Sequence, residues 1–196
     1  MSTQSNVTDK QNVILQTALK LFVKHGFHGT PTSRIAAEAG IAHGTIFHYY
    51  KTKDELVEAL YGYVKAHLQR YLHEHVREKE NIKEKFKALF FHSVQWSLQY
   101  REEFLFTQQF QYSPHMQQSA AVEAAKQGGP HMELYQEALR TKVFKPMPAD
   151  LISELSKTQM IGVYNYLSKA ELSKAKTKQL IEQVFELTWK MFANQR

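Results

Sequence analysis

The chain has 196 residues, no cysteine, and a formal net charge of +6 with a pI near 9.3. The missing thiols exclude a disulfide framework and thiol chemistry, and they fit a reducing cytosol. The basic balance suits an anionic partner without specifying one, and a hydrophobic fraction of 43% is enough for a core. No apolar run approaches the length needed to cross a bilayer. The opening MSTQSNVTDKQN has neither an apolar core nor a basic cluster, so it does not read as a signal peptide. A cytoplasmic protein with no membrane partner is expected. Charge does not mark one end: residues 1–56 hold six Lys/Arg against four Asp/Glu.

In chain order, residues 1–7 read as disordered. Thr8 and Gln11 have capping-box spacing. Val13, Ile14, Ala18, Leu21 and Phe22 then form an apolar stripe at helical period, closed by His25 and Gly26. Thr30 is expected to cap the next helix, with Pro31 at its first position. Ile35, Ala36 and Ala39 give that helix a small apolar face, and Gly40 ends it by taking φ > 0. Ile41 plugs the turn, and a second short helix runs from about His43 to Tyr50. This is helix-turn-helix spacing, whose second helix enters the major groove of DNA.

Thr52 and Glu55 form a further capping box that opens a long helix to about Lys79, with Leu56, Leu60, Val64, Leu68, Leu72 and Val76 in register. Asn81 and Glu84 start another. It carries Phe86, Leu89, Phe90, Ser93, Val94 and Ser97 on one face, and His92, Trp96 and Tyr100 in a second row. A helix apolar on more than one side is buried in a bundle. Phe104, Leu105, Phe106 and Phe110 lie on a shorter helix ended by Pro114. Gln117 to Lys126 reads as a polar helix stopped by Gly128-Gly129-Pro130, and Met132 to Leu139 as the next. Pro146 and Pro148 keep the following stretch a loop. The last two helices are expected near Ala149–Lys169 and Lys174–Ala193. The final one carries two apolar rows, Leu180, Val184, Leu187 and Met191, and Ile181, Phe185, Trp189 and Phe192. One row can face the chain's own core. The surplus row, with Leu151 and Leu155, invites a two-fold four-helix interface.

The residues Thr32, Ile35, Ala36, Ala39, Gly40, Gly44, Thr45, Lys53 and Leu56 fall on the helix-turn-helix pattern of TetR-family transcriptional regulators, which the segment resembles. Ile41, Ile46, Phe47, Tyr49 and Tyr50 are conservative departures, and Ala42 replaces the family's usual serine. The resemblance covers under a third of the chain. It implies an all-α fold: a three-helix DNA-binding domain over residues 8–53, and a larger helical bundle over 54–196 for effector binding and dimerisation. It also implies a homodimer through the last two helices on a palindromic DNA operator.

Contacts to DNA are expected from Thr32, Ser33, Arg34, Ala42, His43, Gly44, Thr45, Phe47, His48, Tyr49 and Lys53. Phe47 stands where the family usually has tyrosine; it can pack on sugar or a thymine methyl but lacks the phosphate-bonding hydroxyl. Lys53 sits at a helix start, where its charge and the helix dipole favour phosphate. Ile35, Ile46 and Tyr50 read as core. No arginine lies on the second helix, so it offers no bidentate guanine reader. Specificity then leans on thymine methyls, His43, Arg34 or DNA shape.

The resemblance implies a small-molecule effector in the second domain. His92, Trp96, Tyr100, Phe104, Phe110, Tyr135, Tyr164 and Asn165 are the candidates to line its cavity, large apolar walls with a few polar tips. Taken singly, ordinary core packing accounts for each. A neutral, weakly polar or aromatic ligand fits a core without buried charge. His67, His73 and His75 do not share a helix face, so no metal site and no cofactor is expected. There is no phosphate loop, nucleophile motif or carboxylate pair, so no catalytic residue is assigned. The expected function is a dimeric repressor released from its operator by a hydrophobic or aromatic molecule. The alternative is a helix-turn-helix regulator whose second domain binds a protein partner.

Overall fold

A computed structural model describes residues 2–113 and 130–194. Among them the fold is all-α. The helices are α1 (Ser2–His25), α2 (Thr32–Glu38), α3 (His43–Tyr49), α4 (Lys53–Val76), α5 (Ile82–Gln99), α6 (Arg101–Gln111), α7 (Pro130–Arg140), α8 (Ala149–Leu167) and α9 (Lys174–Phe192). The helix expected over Gln117 to Lys126 lies outside the described residues. No described helix is long and apolar enough to cross a membrane.

The described residues form two compact units, one from 2–67 and 100–113, the other from 68–99 and 130–194. Helix α4 therefore contributes to both, and α6 belongs with the helix-turn-helix. In the first unit Ile14, Ala18 and Phe22 of α1 are buried, together with Ile35, Ile46, Leu56 and Leu60. A run of aromatic rings seats α6 on α1. The Phe106 ring lies 6.4 Å from that of Phe22, 5.8 Å from Phe27 and 6.3 Å from Phe110. Gln109 Nε2 adds a hydrogen bond to the Val23 carbonyl at 3.2 Å.

The second unit is built on Phe86 and Phe90 of α5, packed with Tyr135, Phe144, Ile152, Ile181, Phe185 and Phe192. The loop before α8 is held by main-chain bonds rather than by a sheet. Phe144 makes an isolated antiparallel bridge with Ala193. Lys145 N donates to the Phe192 carbonyl at 2.8 Å, and Asn194 N to that of Val143 at 2.9 Å.

Several helix starts follow the expected chemistry. Glu55 N donates to Thr52 Oγ1 at 3.1 Å, while the Glu55 carboxylate accepts from Lys51 N at 2.8 Å. Asn81 Oδ1 accepts from Glu84 N at 2.9 Å. Two differ. Helix α1 begins at Ser2, not Thr8; residues 2–7 contain no glycine or proline, so nothing stops the backbone ladder from running through them. Thr30 does not cap α2, whose cap position is Pro31 without a side-chain bond. The buried Thr30 hydroxyl instead donates to the Gly26 carbonyl at 2.9 Å and the Leu21 carbonyl at 3.2 Å. It thereby ties the start of α2 back to the end of α1. Helix α4 stops at Val76, three residues before the expected end, in turn bonds such as Lys79 N to the Val76 carbonyl.

Candidate nucleic-acid interface

The angle between α2 and α3 is set by a glycine. Gly40 has φ +66°, a region that costs a side chain steric energy. Its turn lets Ile41 N reach back to the Ala36 carbonyl at 3.0 Å, closing the helix end with a six-to-one bond. Ile35 and Ala36 of α2 and Ile46 of α3 are buried, and Tyr50 closes the other end of α3. The three residues expected in the core, Ile35, Ile46 and Tyr50, are there.

With Ile46 and Tyr50 turned inward, the rest of α3 faces out. Ala42, His43, Gly44, Phe47 and His48 are exposed, and Thr45 and Tyr49 are half-buried. Ser33 and Arg34 on α2 are exposed and Thr32 is half-buried. A Cβ added at Gly44 would meet nothing within 4 Å, so the chain's own packing does not require a glycine there. The outward rings are ordered among themselves. Thr32 Oγ1 and His43 Nε2 share a 3.0 Å hydrogen bond. His43 meets Phe47 edge-on at 5.0 Å, and His48 meets Tyr49 edge-on at 5.2 Å.

Lys53 differs from its neighbours. It is half-buried, and its Nζ donates to the Phe27 carbonyl beyond the end of α1. The residue marked out by sequence for phosphate thus has an internal role, tying the start of α4 to α1. Arg34 and Lys51 remain as exposed cations on this part of the surface.

The residues expected to line an effector cavity are divided between the units. Tyr100, Phe104 and Phe110 belong to the first; His92, Trp96, Tyr135, Tyr164 and Asn165 belong to the second. In the first unit Phe104 and Phe110 are buried, and Phe110 stacks on Tyr61 at 4.1 Å. Tyr100 lies edge-on to His67 at 4.5 Å, and His67 Nδ1 is 2.7 Å from Glu103 Oε2. Glu103 thereby joins α6 to α4.

In the second unit Trp96, Tyr135 and Tyr164 are buried, whereas Asn165 is exposed and faces no interior wall. Burial raises the Tyr135 phenol above its ordinary value, opposed by hydrogen bonding with Ser156 and Ser153. Sequence reasoning missed the surroundings of His92. Its ring lies 4.0 Å from that of His75 and 6.2 Å from that of Tyr71. His75 Nδ1 lies 2.6 Å from the Tyr71 carbonyl, which places the ring proton there and leaves Nε2 as an acceptor in the neutral form. The i, i+4 pairing of Tyr71 with His75 was the available signal.

His92 Nδ1 is buried without a hydrogen-bond partner in the described residues. Burial foremost, then the charges of His75 and Lys79, lowers its imidazole to about 4. The folded chain therefore holds His92 neutral, and the unfolded chain protonates it near 6.5. Its contribution is complete above pH 6.5 and is lost as pH falls towards about 4. His92→Phe is expected to flatten the fall in urea midpoint between those limits, by about 1 kcal/mol once screening of a half-open site is allowed for. An unchanged slope would assign the acid sensitivity to other groups.

An all-α chain with a glycine-turned helix pair that shows polar and aromatic side chains on its second helix is a helix-turn-helix protein of the DNA-binding class. Residues 14–60 match the family model for bacterial regulatory proteins, tetR family. Over 60 residues the chain is 40% identical to an HTH-type transcriptional repressor of Mycobacterium tuberculosis (strain ATCC 25618 / H37Rv), covering 31% of this chain and 32% of that protein. The matched stretch spans only about a third of the length of such curated relatives. A crystal structure of a tetR family transcription regulator from Shewanella sp. PV-4 superposes with a TM-score of 0.86 at 29% identity, covering 95% of this chain and 99% of that one. AibR, solved with isovaleryl coenzyme A and operator DNA, shares the fold with a TM-score of 0.70 at 17% identity, over 93% and 97% of the two chains. Residues 14–60 thus carry the helix-turn-helix of the TetR family, and the fold of the chain is similar to that of TetR-family regulators.

Proposed function

We propose that this protein is a cytoplasmic transcriptional repressor that binds a palindromic DNA operator as a homodimer and is released from it by a small hydrophobic or aromatic molecule. The observation that carries the DNA-binding part is the outward face of α3. His43, Gly44, Phe47 and His48 are exposed while Ile46 and Tyr50 anchor the helix from behind. Phosphate contacts from Ser33, Arg34 and Lys51 would set the register of this face on the duplex. The repressor relative at 40% identity supports the direction of regulation.

The dimer rests on α8 and α9. Leu180, Val184, Leu187 and Met191 follow one another at helical spacing, and Leu187 is 68% exposed. On α8 Leu151, Gly162 and Tyr166 are exposed at matching spacing, while Leu155 between them is half-buried against the core. An added Cβ at Gly162 meets nothing within 4 Å, leaving room for another helix to approach. A second copy covers both rows by forming a four-helix interface.

The effector part draws on the second unit. The buried rings of Trp96, Tyr135 and Tyr164 supply apolar walls, and the unsatisfied His92 nitrogen supplies a place for one hydrogen-bonding group. AibR provides a precedent for a protein of this fold holding both a ligand and operator DNA. Helix α4 belongs to both units, so a ligand that prefers one placement of α4 biases the other unit. The test is selection of duplexes from a random library by the full-length protein, followed by titration at several salt concentrations. Sequence-preferring binding that weakens steeply with salt is expected. Absence of any preferred duplex at low salt would refute the reading.

A further inference from the structure

We infer that Phe47 reads the 5-methyl group of thymine in the major groove, held for that task by His43 and Thr32. This deepens the DNA-binding reading above and rests on it. From His43 to Tyr49, α3 has no arginine, lysine, asparagine or glutamine, the side chains that pair with guanine or adenine edges through two bonds. It presents aromatic surface instead. Phe47 is 44% exposed, and its ring is met edge-on by the His43 ring at 5.0 Å. The His43 imidazole is fixed in turn by the 3.0 Å bond between its Nε2 and Thr32 Oγ1 on α2. The Nε2 engaged with Thr32 is withdrawn from base edges, and the two rings stand together as an oriented wedge whose apolar side is the Phe47 phenyl.

A phenyl ring neither donates nor accepts a conventional hydrogen bond, so it gains little from the polar edges of guanine, cytosine or adenine. The group in the major groove that matches it is the thymine C5-methyl. Gly44 lies one turn earlier on the same helix. It is exposed and bare, so no side chain there holds the wedge away from the base pairs.

The test uses the full-length protein and duplexes it has itself selected from a random library. Each thymine is replaced singly by deoxyuridine, which removes the methyl and keeps the pairing. At one thymine per half-site the affinity is expected to fall about fourfold, the value of one buried methyl, and about fifteenfold when both half-sites are changed. Phe47→Ala should bind more weakly and lose sensitivity at that thymine alone, and Phe47→Leu should keep it. The arm with unaltered protein needs no variant to fold. Uniform tolerance of deoxyuridine overturns the inference, as does a Phe47→Ala protein as methyl-sensitive as the parent. Failure to select any duplex is a different result, because it defeats the DNA-binding reading itself.

Discussion

Leu187→Glu is expected to leave the protein folded, make it monomeric, and lower its affinity for a two-half-site operator by on the order of 10²- to 10⁴-fold. Leu187 is 68% exposed on α9, in a row with Leu180, Val184 and Met191, so a carboxylate there costs the single chain little. In a four-helix interface the same carboxylate would be buried against its symmetry mate, with no partner for either charge. The DNA consequence follows from linkage. Two reading heads in one molecule raise the effective concentration of the second at its half-site, and a monomer forfeits that advantage without losing a single DNA contact. Light scattering gives the mass, and titration against duplexes with one or two half-sites separates the two effects. Single half-site affinity should change little. A variant that remains dimeric would show that the dimer face lies elsewhere.

The largest stability loss is expected from Phe106→Ala, about 3–5 kcal/mol. Phe106 is fully buried, and its ring touches Phe22 and Phe27 as well as Phe110 on its own helix. Removing it opens a cavity where α6 meets the end of α1, and the surrounding rings are too large to close it. Against the 5–15 kcal/mol typical of a folded domain, that is a large share. The end of α1 also receives the Thr30 hydroxyl and the Lys53 ammonium, so loosening it disturbs the groups that position α2 and α4. Urea unfolding should show the loss, and operator affinity should fall although Phe106 is not on the exposed face. Full retention of the urea midpoint would mean that α6 is not part of the helix-turn-helix support.

What the sequence made legible was what depends on neighbours along the chain. Gly40, the cap at Asn81, the box at Thr52 and the core row of α9 (Ile181, Phe185 and Phe192) rest on local spacing, and each appears where that spacing puts it, whereas only Leu187 and Met191 of the second row are exposed. Less legible was any feature decided by a distant acceptor. Thr30 has the right residue type and position for a cap, but its hydroxyl is claimed by the carbonyls of Gly26 and Leu21. Lys53 was similarly read as an outward charge, and it finds a partner 26 positions away. The membership of α6 in the first unit was hidden for the same reason, since its ring contacts with Phe22 and Phe27 cross some eighty residues. The eight residues grouped as effector contacts share a composition but not a unit.

Helix α3 keeps what anchors it apart from what it displays. Ile46 and Tyr50 hold it to the body, while positions 43, 44, 47 and 48 have no share in the core. The four outward positions are therefore a replaceable cassette. New side chains written there would redirect the protein to a different address on the genome while the scaffold beneath went on folding as before.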